Sequence, residues 1–158
     1  MEGTVLFGLN PDQIVQRKAK YTIGIKIGVN WNEELHSNKG EKFYGKERDI
    51  YLCINCFSSI ITINQNLTLG QEIIKNYNMG SNDRYCTINF YKSLKPNPYF
   101  IVEEGIEEIG QCKLDAGMEY PIDQREFSIT MRIGGTFIDV KAKHKISGKY
   151  IKTKLDFI

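Results

Sequence analysis

Residues 125–145 read REFSITMRIGGTFIDVKAKHK, and apolar and polar side chains alternate along them. A period of two is typical of a strand that has one buried face and one solvated face. The apolar side chains of the first run are Phe127, Ile129, Met131 and Ile133. Gly134 and Gly135 then predict a turn, because glycine reaches positive φ without a Cβ clash. The inward side chains of the second run are Ile138, Val140 and Ala142. The segment is therefore predicted to be a β-hairpin.

The same patterns predict further strands on both sides of the hairpin. The segments concerned are residues 21–29, 49–63, 67–79, 85–94, 108–116 and 149–158. We expect strand 67–79 to pair with strand 85–94 across a polar turn. The remaining stretches are predicted to be two long loops, residues 30–49 and 95–108, and one short helix, residues 10–20. About eight short strands separated by turns predict an all-β, antiparallel sandwich or barrel, since a sheet with one apolar face must cover it with another sheet.

The amino-acid composition is typical of a folded globular domain. Of 158 residues, 41% are hydrophobic and 25% are charged, which is typical of a globular protein. Lys and Arg number 21 against 19 Asp and Glu, and the net charge of +2 is too small to favour a nucleic acid or an anionic membrane as partner. The chain has no apolar run of membrane-spanning length and no basic, signal-like start. A cytoplasmic location is therefore expected.

The four cysteines offer one weak metal motif. Cys53 and Cys56 have the spacing of half a zinc site, but a structural site needs four ligands. The side chains that could complete it, Cys86, Cys112, His36 and His144, lie in unrelated segments. A spacing of three along a strand also places two sulfurs on opposite faces unless a bulge intervenes. We therefore predict free thiols and no metal site, with a zinc or thiol activity as the minor alternative.

No motif for catalysis or for a cofactor is present. The sequence contains no G-x-S-x-G elbow, and no glycine cluster precedes a helix with the lysine that a phosphate loop requires. Six lysines alternate within residues 141–154, which is how strands keep one face solvated. The chain is therefore predicted to be no enzyme, to use no cofactor and to bind no nucleic acid.

Several motifs together resemble one family. Ile109-Gly110, Leu114, Gly135 and the Ser-Gly-Lys of residues 147–149 are similar to the ending of the substrate-binding β-domain in the heat-shock protein 70 family. The segments GTVLFGLNP, residues 3–11, and YTIGI, residues 21–25, most resemble the atypical class-12 branch. So do the segments ITINQNLTLGQ, residues 61–71, and LKPNPYFIVEEGIEEIG, residues 94–110.

This resemblance implies a fold and a domain plan. The expected fold is an antiparallel β-sandwich of two four-stranded sheets with a short N-terminal helical remnant. Residues 1–20 would be the remnant of the C-terminal end of an ATPase domain, and residues 21–158 the peptide-binding β-sandwich. The ATPase and the helical lid would be missing, so ATP would serve only a full-length relative, and bound peptide would exchange fast.

The resemblance also implies a binding site. Its partners would be extended apolar peptide segments or unfolded proteins, held by backbone hydrogen bonds and side-chain pockets. The two binding loops fall within residues 29–50 and 78–85. The groove-lining candidates are Ile74, Tyr77, Met79, Cys86 and Ile88. The alternative is a non-chaperone protein–protein interaction module, and the oligomeric state is left open.

Overall fold

The structure is a computed structural model and describes residues 16–156. Its elements are, in chain order, β1 Gln16–Lys18, β2 Thr22–Asn30, α1 Glu33–His36, β3 Lys42–Gly45, β4 Ile50–Ile61, β5 Asn66–Thr68, β6 Glu72–Asn78, β7 Tyr85–Ser93, β8 Glu107–Asp115, a 3-10 turn Ile122–Gln124, β9 Glu126–Ile133, β10 Phe137–His144 and β11 Tyr150–Asp156. No helix in this part of the chain is long and apolar enough to cross a membrane. The predicted all-β class is confirmed.

The strands form antiparallel sheets that cover each other's apolar faces. One sheet has the order β11-β10-β9-β6, and the other has the order β3-β4-β2-β7-β8. A third, two-stranded sheet pairs β1 with β5. The prediction of two four-stranded sheets therefore gave too few strands and sheets. The extra strand of the larger sheet is β3, which lies within the first predicted loop and pairs with β4.

The predicted hairpin is confirmed, although its turn works differently. Strands β9 and β10 pair from Phe127↔His144 to Ile133↔Ile138, and all the apolar side chains predicted to face inward are buried. Neither Gly134 nor Gly135 has a positive φ. Glycine is required at position 134 for a steric reason instead, because a Cβ there would lie 2.5 Å from the Phe137 carbonyl oxygen.

The predicted pairing of residues 67–79 with residues 85–94 is wrong. Strand β6 pairs with β9 in the four-stranded sheet, from Glu126↔Asn78 to Arg132↔Glu72. Strand β7 pairs with β8 on one edge and, at its C-terminal end, with β2 on the other, whereas β6 lies in the opposite sheet beside β9. The connection 79–84 therefore crosses from one sheet to the other instead of closing a hairpin.

The predicted N-terminal helix, residues 10–20, lies mostly outside the described residues. Its described end is strand: β1 pairs with β5, and the Ala19 amide donates to the Gln65 carbonyl at 2.9 Å. Ala19 is buried in the main core, so this segment packs on the sandwich. The assignment of residues 1–20 to an ATPase remnant stays a prediction.

Inward side chains of both large sheets make the main core. Ile25, Phe90 and Leu114 come from the five-stranded sheet, and Ile129 and Leu155 come from the four-stranded sheet. Each side chain of this kind contributes about 1.5–3 kcal/mol when it is fully buried. A smaller cluster, apart from the main core, joins Cys53 and Cys56 of β4 to Phe100 of the β7–β8 connection.

Candidate functional site

A cavity of about 460 Å³ opens between the two large sheets. It lies where the β2–β4 connection, residues 31–49, meets the β6–β7 connection, residues 79–84. Its lining residues are Ile25, Lys26, Ile27, Gly28, Asn30, Gly45, Arg48, Ile50, Leu52, Tyr77, Asn78, Met79, Gly80, Cys86, Thr87, Ile88 and Phe127. The volume lies within the range of sites that hold small molecules or a few side chains of a polypeptide.

The strands that line the cavity diverge there. The ladder between β2 and β7 runs from Thr22↔Ser93 to Ile25↔Phe90 and ends. Both strands continue past this point, β2 to Asn30 and β7 back to Tyr85, while each stays paired on its other edge with β4 or β8. One edge of each strand is therefore left without a neighbouring strand in the described residues, and unpaired strand edges are templates for another extended chain.

Four of the five predicted groove residues lie together in this cavity. Tyr77, Met79, Cys86 and Ile88 all line it. Ile74 does not, and its side chain is 61% exposed on the outer face of β6. Because side chains alternate along a strand, Ile73 and Tyr77 pack toward the core and Ile74 points away. The residues from β2 that line the cavity were not predicted, since their alternation resembles that of any core strand.

Tyr77 fixes one wall of the cavity. Its hydroxyl hydrogen-bonds to Ser58 Oγ at 2.9 Å, across from the β6 sheet to the β4 sheet. Its ring stacks on Phe127 with centroids 5.7 Å apart. Burial raises the pKa of Tyr77, and the bond to Ser58 offsets part of that rise. The Tyr77 side chain is thus an uncharged aromatic surface whose position is fixed by Ser58 and Phe127.

Cys86 adds a second neutral surface. Burial raises the pKa of the Cys86 thiol to about 11, with nearby Cys112 adding to the effect and Arg125 opposing it. The thiol is therefore protonated at neutral pH and behaves as a small apolar group. Charged side chains of the lining, Lys26 and Arg48, lie at the exposed rim. The cavity thus combines apolar side chains with polar ones such as Asn78 and Thr87, and it has two cationic side chains at its rim.

Arg125 supports the β6–β7 connection from beneath. Its fully buried guanidinium donates to the carbonyls of Gly117, Tyr120 and Asp83, and its own carbonyl accepts from the Met79 amide at 3.1 Å. The loop that carries Met79 and Gly80 is therefore held to the start of β9. Sequence reasoning missed this role, because the sequence around Arg125 does not distinguish a buried arginine from a solvated one.

A polar cluster lies under the β2–β4 connection, and it corrects two predictions. His36, Cys53 and Cys56 are all buried, and their potential ligand atoms lie within 4.8 Å of one another. The sulfurs of Cys53 and Cys56 are 3.4 Å apart, so they are not on opposite faces. The reason is the bulge that the prediction allowed for: Ile27 pairs with Cys56 and Val29 with Cys53, so three residues of β4 oppose two of β2.

The prediction that His36 lies in an unrelated segment is also wrong. The side chain of Asn32 caps α1 by accepting from the amides of Glu34 and Leu35. This turn directs His36 onto β4, where it is 1% exposed. Burial raises the pKa of Cys56 to about 12, and the contact with Cys53 adds to the rise. All four cysteines are free, as predicted.

No family model matches the chain. The chain is similar to human and mouse heat shock 70 kDa protein 12A, each 29% identical over 163 residues, which cover 100% of this chain and 24% of the relative. Human heat shock 70 kDa protein 12B is 24% identical over 173 residues, with the same coverage. The chain thus spans about a quarter of the length of these relatives. The resemblance predicted from the sequence is confirmed: the chain is homologous over its whole length to class-12 relatives of the heat-shock protein 70 family.

Proposed function

We propose that this chain is a peptide- or unfolded-protein-binding module of a heat-shock protein 70-like chaperone. An extended apolar segment would enter the cavity between the β2–β4 and β6–β7 connections. It would hydrogen-bond through its backbone to the free edges of β2 and β7, and its side chains would contact Tyr77, Cys86 and neighbouring groups. The proposed role is binding, without a catalytic step.

The divergence of β2 and β7 carries this proposal. Strand edges without a neighbouring strand offer amides and carbonyls to another extended chain, so two such edges beside the cavity favour a ligand that supplies strand-like backbone groups. Side chains that alternate along such a ligand would fit pockets on alternate sides. The chain is homologous to heat shock 70 kDa protein 12A, and the proposal applies to this cavity the peptide-binding role that the family resemblance led us to expect.

Fluorescence anisotropy tests the proposal with labelled extended peptides rich in leucine and valine. The wild-type chain is expected to bind a subset of them with micromolar Kd. Flat titrations across a diverse peptide set would contradict the proposal.

A matched pair of glycine variants locates the binding. Gly80 lines the cavity, and no atom lies within 4 Å of a Cβ built there; the same space surrounds Gly135, which lies outside the lining. Gly80→Trp is expected to weaken peptide binding by at least about tenfold, or about 1.4 kcal/mol, and Gly135→Trp to leave it unchanged. Equal effects of the two variants would place the peptide elsewhere.

A non-chaperone interaction module is the second candidate, and one surface favours it. Strand β3 is the edge of the five-stranded sheet, and Phe43, Tyr44 and Tyr51 are each about half exposed there, at 53%, 46% and 54%. A photo-crosslinking amino acid at position 43 would capture a folded partner that adds to this edge. One discrete adduct from position 43, with none from the 44% exposed position 137 on the other sheet, would favour this candidate.

A further inference from the structure

We propose that His36, Cys53 and Cys56 bind a zinc ion. The proposal goes beyond peptide binding, which does not require it. Two thiolates and an imidazole are a ligand set that suits Zn²⁺. Three protein ligands leave one tetrahedral position, which a water molecule fills in sites of this composition.

The geometry of the three side chains fits one ion. Ligand atoms around tetrahedral zinc lie at about 2.0–2.3 Å from the metal, hence on the order of 3.5–3.8 Å from each other. The two sulfurs are 3.4 Å apart, and all three ligand atoms lie within 4.8 Å of one another. Shifts of about 1 Å or less therefore bring them to bonding distance, which side-chain rotation supplies.

The surroundings of these residues resemble the outer shell of a metal site. His36 Nδ1 accepts from the Asn32 amide at 2.8 Å, and Nε2 lies 2.9 Å from the Tyr99 hydroxyl. Zinc bound at Nδ1 would replace the contact with the Asn32 amide. The Nε2–H group would then donate to the Tyr99 hydroxyl, which orients the ring as outer partners of ligating histidines do. Asn55 lies beside the sulfurs, where its Oδ1 accepts from Cys53 Sγ at 3.1 Å and from the Glu41 amide at 2.9 Å.

Aromatic side chains cover the cluster from solvent. The His36 ring lies 5.3 Å from the ring of Trp31, 5.8 Å from that of Tyr99 and 6.1 Å from that of Phe100. Phe100 forms an isolated bridge with Cys56. Such a shell limits the access of solvent and competing ligands to a bound ion.

The ion would join His36 of α1 to Cys53 and Cys56 of β4. These elements meet next to the cavity, because Ile27 lines the cavity and also packs against Cys53, Cys56 and Phe100. Zinc would therefore fix the β2–β4 connection beside the cavity in a single position.

Metal titration of the full chain tests this proposal without any peptide. The protein is stripped with a chelator, kept reduced with a phosphine and titrated with Co²⁺ and then Zn²⁺. One equivalent of Co²⁺ is expected to give sulfur-to-cobalt charge-transfer absorption in the near ultraviolet, which one equivalent of Zn²⁺ abolishes. Absence of this absorption in the folded wild-type chain would overturn the proposal.

Variants assign the ligands. Loss of an outer partner typically weakens metal binding about 10–100-fold, so Cys56→Ser and His36→Gln are each expected to weaken zinc binding at least about 100-fold. Tyr99→Phe removes one such outer partner and is expected to weaken zinc binding about 10–100-fold, less than either ligand variant. The matched control is Cys112→Ser, which removes a buried thiol from the main core and is expected to keep wild-type affinity. Equal zinc affinity in Cys56→Ser and Cys112→Ser would contradict the assignment, and peptide binding is measured separately in each.

Discussion

Cys86 reports on the cavity at the scale of a single residue. Of the four cysteines, all within the described part of the chain, Cys86 alone is only partly buried. Burial raises its pKa to about 11, so only a small fraction is thiolate at neutral pH, and the thiolate is the nucleophile. Alkylation by iodoacetamide should therefore be slow at pH 7 and rise about tenfold per pH unit up to pH 9.

Bound peptide should protect this thiol. A saturating apolar peptide is expected to slow alkylation of Cys86 several-fold, because the side chain lines the cavity. Mass spectrometry after digestion gives the rate at each cysteine, and buried Cys112, which is not part of the lining, serves as the internal control. An unchanged Cys86 rate in the presence of demonstrably bound peptide would contradict the location of the site.

Arg125 holds the β6–β7 connection through three backbone carbonyls. Arg125→Ala removes these charge-assisted bonds and leaves a cavity, so it is expected to lower the free energy of unfolding by about 2–4 kcal/mol. Urea denaturation measures the change. The control, Arg84→Ala, removes a half-exposed ion pair with Asp115 at 3.1 Å and is expected to cost less than about 1 kcal/mol. Similar losses in both variants would show that Arg125 has no supporting role.

At the scale of strands, Gly24 permits the close pairing of β2 with β4. A Cβ at this position would overlap the Ser58 carbonyl oxygen and lie 2.8 Å from the Phe57 ring. Gly24→Ala is therefore expected to lower the free energy of unfolding by about 1–3 kcal/mol, since the strands must move apart. Gly135→Ala, where nothing lies within 4 Å, is expected to change it by less than about 0.5 kcal/mol. Equal stability of the two variants would contradict this packing.

Local pattern predicted the strands better than it predicted their partners. The β9–β10 hairpin followed from alternation and a short glycine turn, because its contacts are local. The pairing of β6 with β9 did not, since it joins segments that are far apart in the chain, from Glu126↔Asn78 to Arg132↔Glu72. The bulge at Cys53 and Cys56 was allowed for but could not be placed from the sequence, because it arises from the register of β4 against β2.

The candidate site was predictable to a similar degree. Tyr77, Met79, Cys86 and Ile88 were found through the resemblance and lie together in the cavity. Ile74, also a groove-lining candidate, lies outside the cavity, because the adjacent Ile73 takes the inward position on β6. His36 was dismissed on its distance along the chain, and only the turn capped by Asn32 brings it to β4.

At the scale of the whole molecule, cavity and polar cluster lie at neighbouring positions along β2. Sandwich topology explains this, since the β2–β4 and β6–β7 connections emerge at one end of the two large sheets. The relatives that the chain resembles are about four times as long. We propose that this chain supplies the parts that bind a peptide, which are the cavity, its rim and the free edges of β2 and β7.

The most direct test of that account compares one apolar peptide with a copy that carries N-methyl groups on alternate backbone amides. Each lost backbone hydrogen bond weakens binding by about 0.5–1.5 kcal/mol. Anisotropy titrations are expected to give a micromolar Kd for the unmodified peptide and one at least about tenfold weaker for the methylated copy. Equal affinity of the two peptides would contradict the claim that the edges of β2 and β7 hold an extended chain.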